Sequence, residues 1–206
     1  MFGRLQNWLC GIYASLVSIP IYMLGALWGM PYLMHVNHMP ATGAAMVLGM
    51  LFVGNIVGSP LYGWLSDAIC KRKVLMIIGA VLTLVVSIYL MMVHSNDVAL
   101  FSFIFFILGV VSSSEVLAYP MVAESNPKTV SSMAISTISI MTLSGGVFSE
   151  PLFGFVLSSG KAPVLSQGEY IYSSAQYEHA IMLLPIIVII GLLVSLCIKE
   201  TYNKEK

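Results

Sequence analysis

The chain has 206 residues, of which 58% are hydrophobic and 9% charged, with nine basic and nine acidic side chains balancing to zero. A soluble domain carries about 25% charged residues, so a water-facing globule is excluded and lipid is the natural solvent for most of the chain. The zero balance gives no electrostatic case for nucleic acid. The odd set Cys10, Cys70 and Cys197 has neither disulfide nor metal-ligand spacing.

Arg4 leads into the apolar run "WLCGIYASLVSIPIYMLGALWGMPYL". It is too long for a secretory leader and closes on no small-residue cleavage site. It predicts a first membrane helix over 8–33. A spanning helix needs about 20 mostly apolar residues, and five further runs meet that length near 42–66, 74–94, 98–123, 129–158 and 177–198. The expected fold is an all-α membrane protein, a single six-helix transmembrane bundle over 1–206. Backbone groups in hydrocarbon must bond within their own segment, which favours helices over these long runs.

The connections alternate in charge. Arg4, the triplet Lys71, Arg72 and Lys73, then Lys128, then Lys199, Lys204 and Lys206 fall on one side, and Lys161 falls on the other. Positive charge stays inside, so both termini are expected in the cytoplasm and the chain in the cell (inner) membrane. The outer connections read "HVNHMPA", "SND" and a longer stretch over 159–176, an interfacial cap whose tyrosines sit at head-group level. His35 and His38 have no third ligand nearby and read as an ordinary polar loop. His94 and His179 lie near helix ends. No metal site or cofactor is expected.

Polar groups inside the membrane are costly and mark candidate function. Tyr22 falls near the middle of the first span beside Pro20, and Asn55 near the middle of the second. Glu115 follows "VVSSS" in the fourth span, and Glu150 precedes Pro151 in the fifth. A carboxylate at the depth of Glu115 is protonated, paired or facing water. Asn55 has a plainer use as a bond across a helix interface. Gly49, Gly54, Gly58 and Gly63 with Pro60 in span two, and Gly145, Gly146, Gly154 and Pro151 in span five, allow close helix packing or kinked helices.

Span two ends in "GWLSDAICKRK". Asp67 at a helix C-terminus faces the negative end of the macrodipole, unfavourable by a few tenths of a kcal/mol, so it calls for a cation or another helix's N-terminus. This stretch resembles the cytoplasmic loop signature of the major facilitator superfamily, with Gly63, Asp67, Lys71, Arg72 and Lys73 on its positions. Ala68 and Cys70 depart from it, standing where the family has a cation and a glycine. "AESNPKTVSSMA" with Glu124 and Pro127, "GGVFSEPLFGFVL" and "LCIKET" are similar to the family's fifth-helix junction, fifth helix and last helix end in its C-terminal half.

The resemblance implies one half of a twelve-helix transporter, built from two inverted three-helix repeats and corresponding to the C-terminal six helices. It implies a small solute carried by alternating access, with proton coupling, and a second six-helix half or a homodimer as partner. Asn55, Glu115, Tyr22 and Glu150 would then form the substrate or proton site. Asp67 with the basic triplet would form a cytoplasmic clasp whose partner is a helix start in the other half. The alternative is a non-transporting remnant or accessory membrane subunit. An intramembrane enzyme lacks a paired-aspartate motif, a Ser–His arrangement or an HExxH zinc helix in the sequence.

Overall fold

Prolines, capping side chains and one left-handed residue set the helix ends. The computed structural model describes residues 3–159, 164–166 and 169–202. Lys161, Lys204 and Lys206, which entered the charge asymmetry, lie outside the described residues. Six helices are long and apolar enough to cross a bilayer: α1 Leu5–His35, α2 Ala41–Ile69, α3 Arg72–Met92, α4 Val98–Ser125, α5 Lys128–Ser158 and α6 Ser174–Cys197. Pro40 and Pro127 stand in extended backbone just before α2 and α5, where a missing N–H leaves no helical bond unmade. Asp97 caps α4 by accepting from the N–H groups of Ala99 at 2.9 Å and Leu100 at 3.4 Å. Ser173 and Gln176 form a capping box at the start of α6.

Between α2 and α3, Cys70 adopts φ 57, the left-handed geometry that glycine ordinarily supplies after a helix. The hairpin therefore closes without the glycine of the signature. The connection between α5 and α6, read as an interfacial cap, contains a small antiparallel pair. Strand β1 Val164–Ser166 lies beside β2 Glu169–Ile171, with Val164 opposite Ile171. Pairing satisfies backbone groups that leave the helices near the membrane surface.

The packing has an internal symmetry. α2 lies along α4 as α5 lies along α1, and α3 touches α4 as α6 touches α1. α1 with α4 and α3 with α6 form the two self-related contacts. Exchanging α1–α3 for α4–α6 maps this pattern onto itself, as inverted three-helix repeats require. α1 and α4 are the most buried helices, and α2 and α5 the least.

Buried apolar side chains divide into two cores. One gathers Tyr32, Phe101, Phe105 and Phe153, and the other gathers Tyr13, Met76, Met121 and Ile138 near the termini. Where the two cores part, the helices carry small and polar residues. These are Ser18 in α1, Gly54 and Gly58 in α2, Thr83 and Ser87 in α3, Ser112–Glu115 in α4, and Thr142 with Ser149 in α5. A Cβ on Gly54 would overlap the Phe106 carbonyl, and one on Gly109 the Leu51 carbonyl. The α2–α4 contact is thus backbone against backbone, the close approach that small residues permit in a membrane.

Candidate functional site

Both central helices break their regular hydrogen bonding in the polar layer or next to it. In α1, Pro20 removes an N–H, and residues Met23–Trp28 form a π turn. In α4, Ser113–Leu117 form a 3-10 turn. Such interruptions occur mostly at functional sites or hinges, and here they fall on the two helices that the inverted repeat exchanges.

Glu115 lies in the α4 break. Its Oε2 is buried without a hydrogen-bond partner, on the turn of α4 that packs against α1, where Ser18 is buried and bonds its own helix at the Ser15 carbonyl. Tyr13 and Tyr22 of α1 lie near Glu115. Tyr22 also packs against Gly146 of α5. Behind the break, the Tyr13 hydroxyl donates to the Met76 carbonyl at 2.8 Å and lies 3.0 Å from Ser114 Oγ. A phenol has one proton, so Ser114 donates to Tyr13. Tyr13 is fully buried and ties α1, α3 and α4 together beside Glu115.

Of the four residues singled out inside the membrane, the structure brings Tyr22 and Glu115 together. Asn55 is half-buried where α2 crosses Gly109 of α4. Glu150 is half-buried on α5, and its carbonyl accepts from the Trp28 indole N–H at 3.1 Å, next to the π turn. No described hydrogen bond or ion pair joins Asn55 or Glu150 to Glu115. Ser18, Tyr13 and Ser114 escaped the sequence reading. Ser18 lies four residues before Tyr22, on the same helical face, and that spacing was the available signal.

The end that carries both termini holds a second constellation. Arg72 is mostly buried, and its Nη2 donates to Glu124 Oε1 at 2.9 Å and reaches Asp67 Oδ1 at 3.4 Å. The guanidinium lies 5.5 Å from the centre of the Tyr202 ring. Glu200 accepts from the backbone N–H of Arg72 at 3.2 Å and of Lys73 at 3.0 Å, so a carboxylate sits on the positive end of α3. Lys73 Nζ donates to the Leu196 carbonyl at 2.9 Å near the end of α6.

Two further links cross this end. Asn7 and Asn126 exchange amide hydrogen bonds at 3.2 and 2.9 Å, and the Gln6 side chain brackets the backbone of Lys199 at 2.8 and 3.1 Å. Within this chain Asp67 pairs with Arg72 of its own loop at 3.4 Å and stays exposed. The basic triplet also divides: Arg72 turns inward, Lys73 caps a helix end and Lys71 is exposed. Gly63 has open space around it. At the opposite end, His35 stacks on Tyr177 with ring centres 5.7 Å apart, and His94 lies 3.5 Å from Glu178.

The model of the Major Facilitator Superfamily matches residues 10–206. The inward-open structure of the xylose transporter XylE from E. coli superposes with a TM-score of 0.72 at 17% identity, over 95% of this chain and 48% of that one. The partially occluded inward-open form of the same transporter gives 0.74 at 18% identity, over 95% and 49%. The chain therefore spans about half the length of these structures, and at such identities the likeness is one of fold. No curated protein matches it by sequence.

Proposed function

From the premise that the chain belongs to the major facilitator superfamily and is a multi-pass membrane protein, we propose that it carries a small solute by alternating access, with a proton as coupling ion and Glu115 as its carrier. It acts as the C-terminal half of a two-half transporter in the cell (inner) membrane, with both termini cytoplasmic. The observation that carries this reading is the buried, unpartnered carboxylate oxygen of Glu115, at the α4 break and facing α1. A carboxyl left in that position costs several kcal/mol if ionised without a partner. It adds nothing to packing that a hydroxyl or an amide would not.

Tyr22 shares the site, and Asn55 and Glu150 flank it from α2 and α5, the two least buried helices. The outer faces of these helices carry Ile56, Trp64, Ile140 and Phe148, all well exposed. They are the surface on which a second six-helix half, or a second copy of this chain, completes the path. The network of Asp67, Arg72, Glu124 and Glu200 is the cytoplasmic clasp of this half, and Asp67, 66% exposed, keeps a face for the partner.

The test uses liposomes holding the full chain and loaded with a pH-sensitive dye, challenged with sugars, amino acids and organic cations. One class of solute is expected to drive proton movement in the native chain, and Glu115→Gln is expected to abolish it. Persistence of that movement in Glu115→Gln would remove Glu115 from the mechanism.

The half-length match favours one other reading, an accessory subunit that moves no solute. A chain that stays monomeric in detergent and moves protons with no member of the panel would support it.

A further inference from the structure

At the end of the molecule opposite the termini, two histidines from different elements converge on the start of α6. His35, the last residue of α1, stacks on Tyr177 with the rings 9° from parallel and 5.7 Å between centres. His94, in the connection between α3 and α4, places Nε2 3.5 Å from Glu178 Oε1 and Nδ1 3.4 Å from the Met92 carbonyl. Tyr177 and Glu178 are neighbours in the first turns of α6. We propose that His35, His94, Tyr177 and Glu178 form a proton-operated latch, closed on α6 when the histidines are protonated and loosened when they are neutral.

The His94 ring is placed for two protons. Both of its nitrogens face oxygens that only accept, a carbonyl and an ionised carboxylate. A neutral imidazole has one N–H and serves one of them, whereas an imidazolium has two and serves both. The bond to Glu178 then joins opposite charges and is stronger than a neutral one. Protonation acts on the second contact in the same direction, since a cationic group within about 6 Å of a tyrosine ring is attracted to its face. Imidazoles ordinarily titrate at about pH 6.5 and glutamates at about pH 4.3, so both partners are charged between those values. Above that window His94 is neutral, and below it Glu178 is.

The latch spans several helix ends. Ser174 Oγ donates to the His35 carbonyl at 2.9 Å, and Gln176 Nε2 donates to the Leu157 carbonyl at 3.0 Å near the end of α5. The first turns of α6 therefore join the ends of α1 and α5 to the α3–α4 connection. α5 is one of the two least buried helices, those proposed to face a second half, and the latch reaches its far end. Other titratable groups surround it. Asp97 lies in the same connection as His94, with its carboxylate capping α4. Tyr172 meets Tyr177 edge-on at 6.3 Å, and Tyr32 of α1 lies near Glu178. Phenols ordinarily titrate at about pH 10, so both stay neutral in the window. His38 and His179 are exposed, and no described ion pair or ring contact joins them to the latch.

Hydrogen–deuterium exchange of the full chain in lipid nanodiscs tests the latch, read on a peptide covering the first turns of α6 and corrected for the intrinsic pH dependence of exchange. Protection of that peptide should pass through a maximum between about pH 4.5 and about pH 6.5. It should fall about two- to fivefold by about pH 8, the scale of a half-exposed charge pair. Glu178→Gln and His94→Gln should each flatten most of the profile. His35→Phe keeps an aromatic ring on Tyr177 without a titrating proton, and combined with His94→Gln it should remove the remainder. Glu115→Gln should leave the profile intact, which separates the latch from the proton site. Protection that does not change with pH in the native chain, or a profile that survives in the combined variant, would overturn the latch. A profile lost in Glu115→Gln would assign the pH response to the carboxyl inside the membrane and overturn it as well.

Discussion

The termini-bearing end and the polar layer between the two cores use the same kinds of side chain to opposite ends. At the termini, Arg72 meets two carboxylates, Glu200 sits on a helix start, Lys73 near a helix end, and two asparagines satisfy each other. In the polar layer, a carboxyl oxygen is buried with no partner, beside two broken helices. Water is near at the first place and scarce at the second, so the lone group costs more where it is left alone. The difference teaches that polar residues of the first region hold helix ends together, whereas the Glu115 Oε2 atom makes no bond of that kind.

The comparison can be broken most forcefully through the contact that frames the polar layer. Gly54→Val drives a side chain into the Phe106 carbonyl, and it is expected to prevent a folded, monodisperse chain in detergent, as overpacking against backbone costs several kcal/mol. Arg72→Met is next. It leaves Glu124 and Asp67 without their cation, and thermal unfolding in detergent should report a loss of about 2 kcal/mol, the scale of a hydrogen bond to a charged group. Asn126→Ala, which removes the paired amide bonds to Asn7, should cost about 1–2 kcal/mol in the same assay. Asp67→Asn should cost under about 0.5 kcal/mol, because its carboxylate is 66% exposed and such pairs contribute little. That variant is expected to change the rate of transport and leave solute preference alone; a changed preference at normal rate would contradict its place in the clasp.

Much of this contrast was legible in the sequence, and some was hidden for physical reasons. Apolar runs of spanning length and the alternation of charge carry the six-helix fold, because a bilayer imposes both. Glu115 stood out because a carboxyl in hydrocarbon is costly wherever the helix turns it. The partners of Arg72 did not stand out: Glu124 and Glu200 lie far along the chain, and only tertiary packing brings them to one cation. Cys70 hid the turn, since a left-handed cysteine gives no glycine signal. Tyr13 was invisible because nothing local marks a tyrosine whose hydroxyl reaches across to two other helices.

The central claim is that Glu115 serves transport and contributes nothing to stability. It is tested most directly by dye-loaded liposomes holding the full chain or Glu115→Gln, read as solute-driven proton movement, with the unfolding midpoint of each chain measured beside it. The account predicts equal midpoints and movement lost in Glu115→Gln. Equal movement in the two chains, or a variant that unfolds well below the native chain, would contradict it.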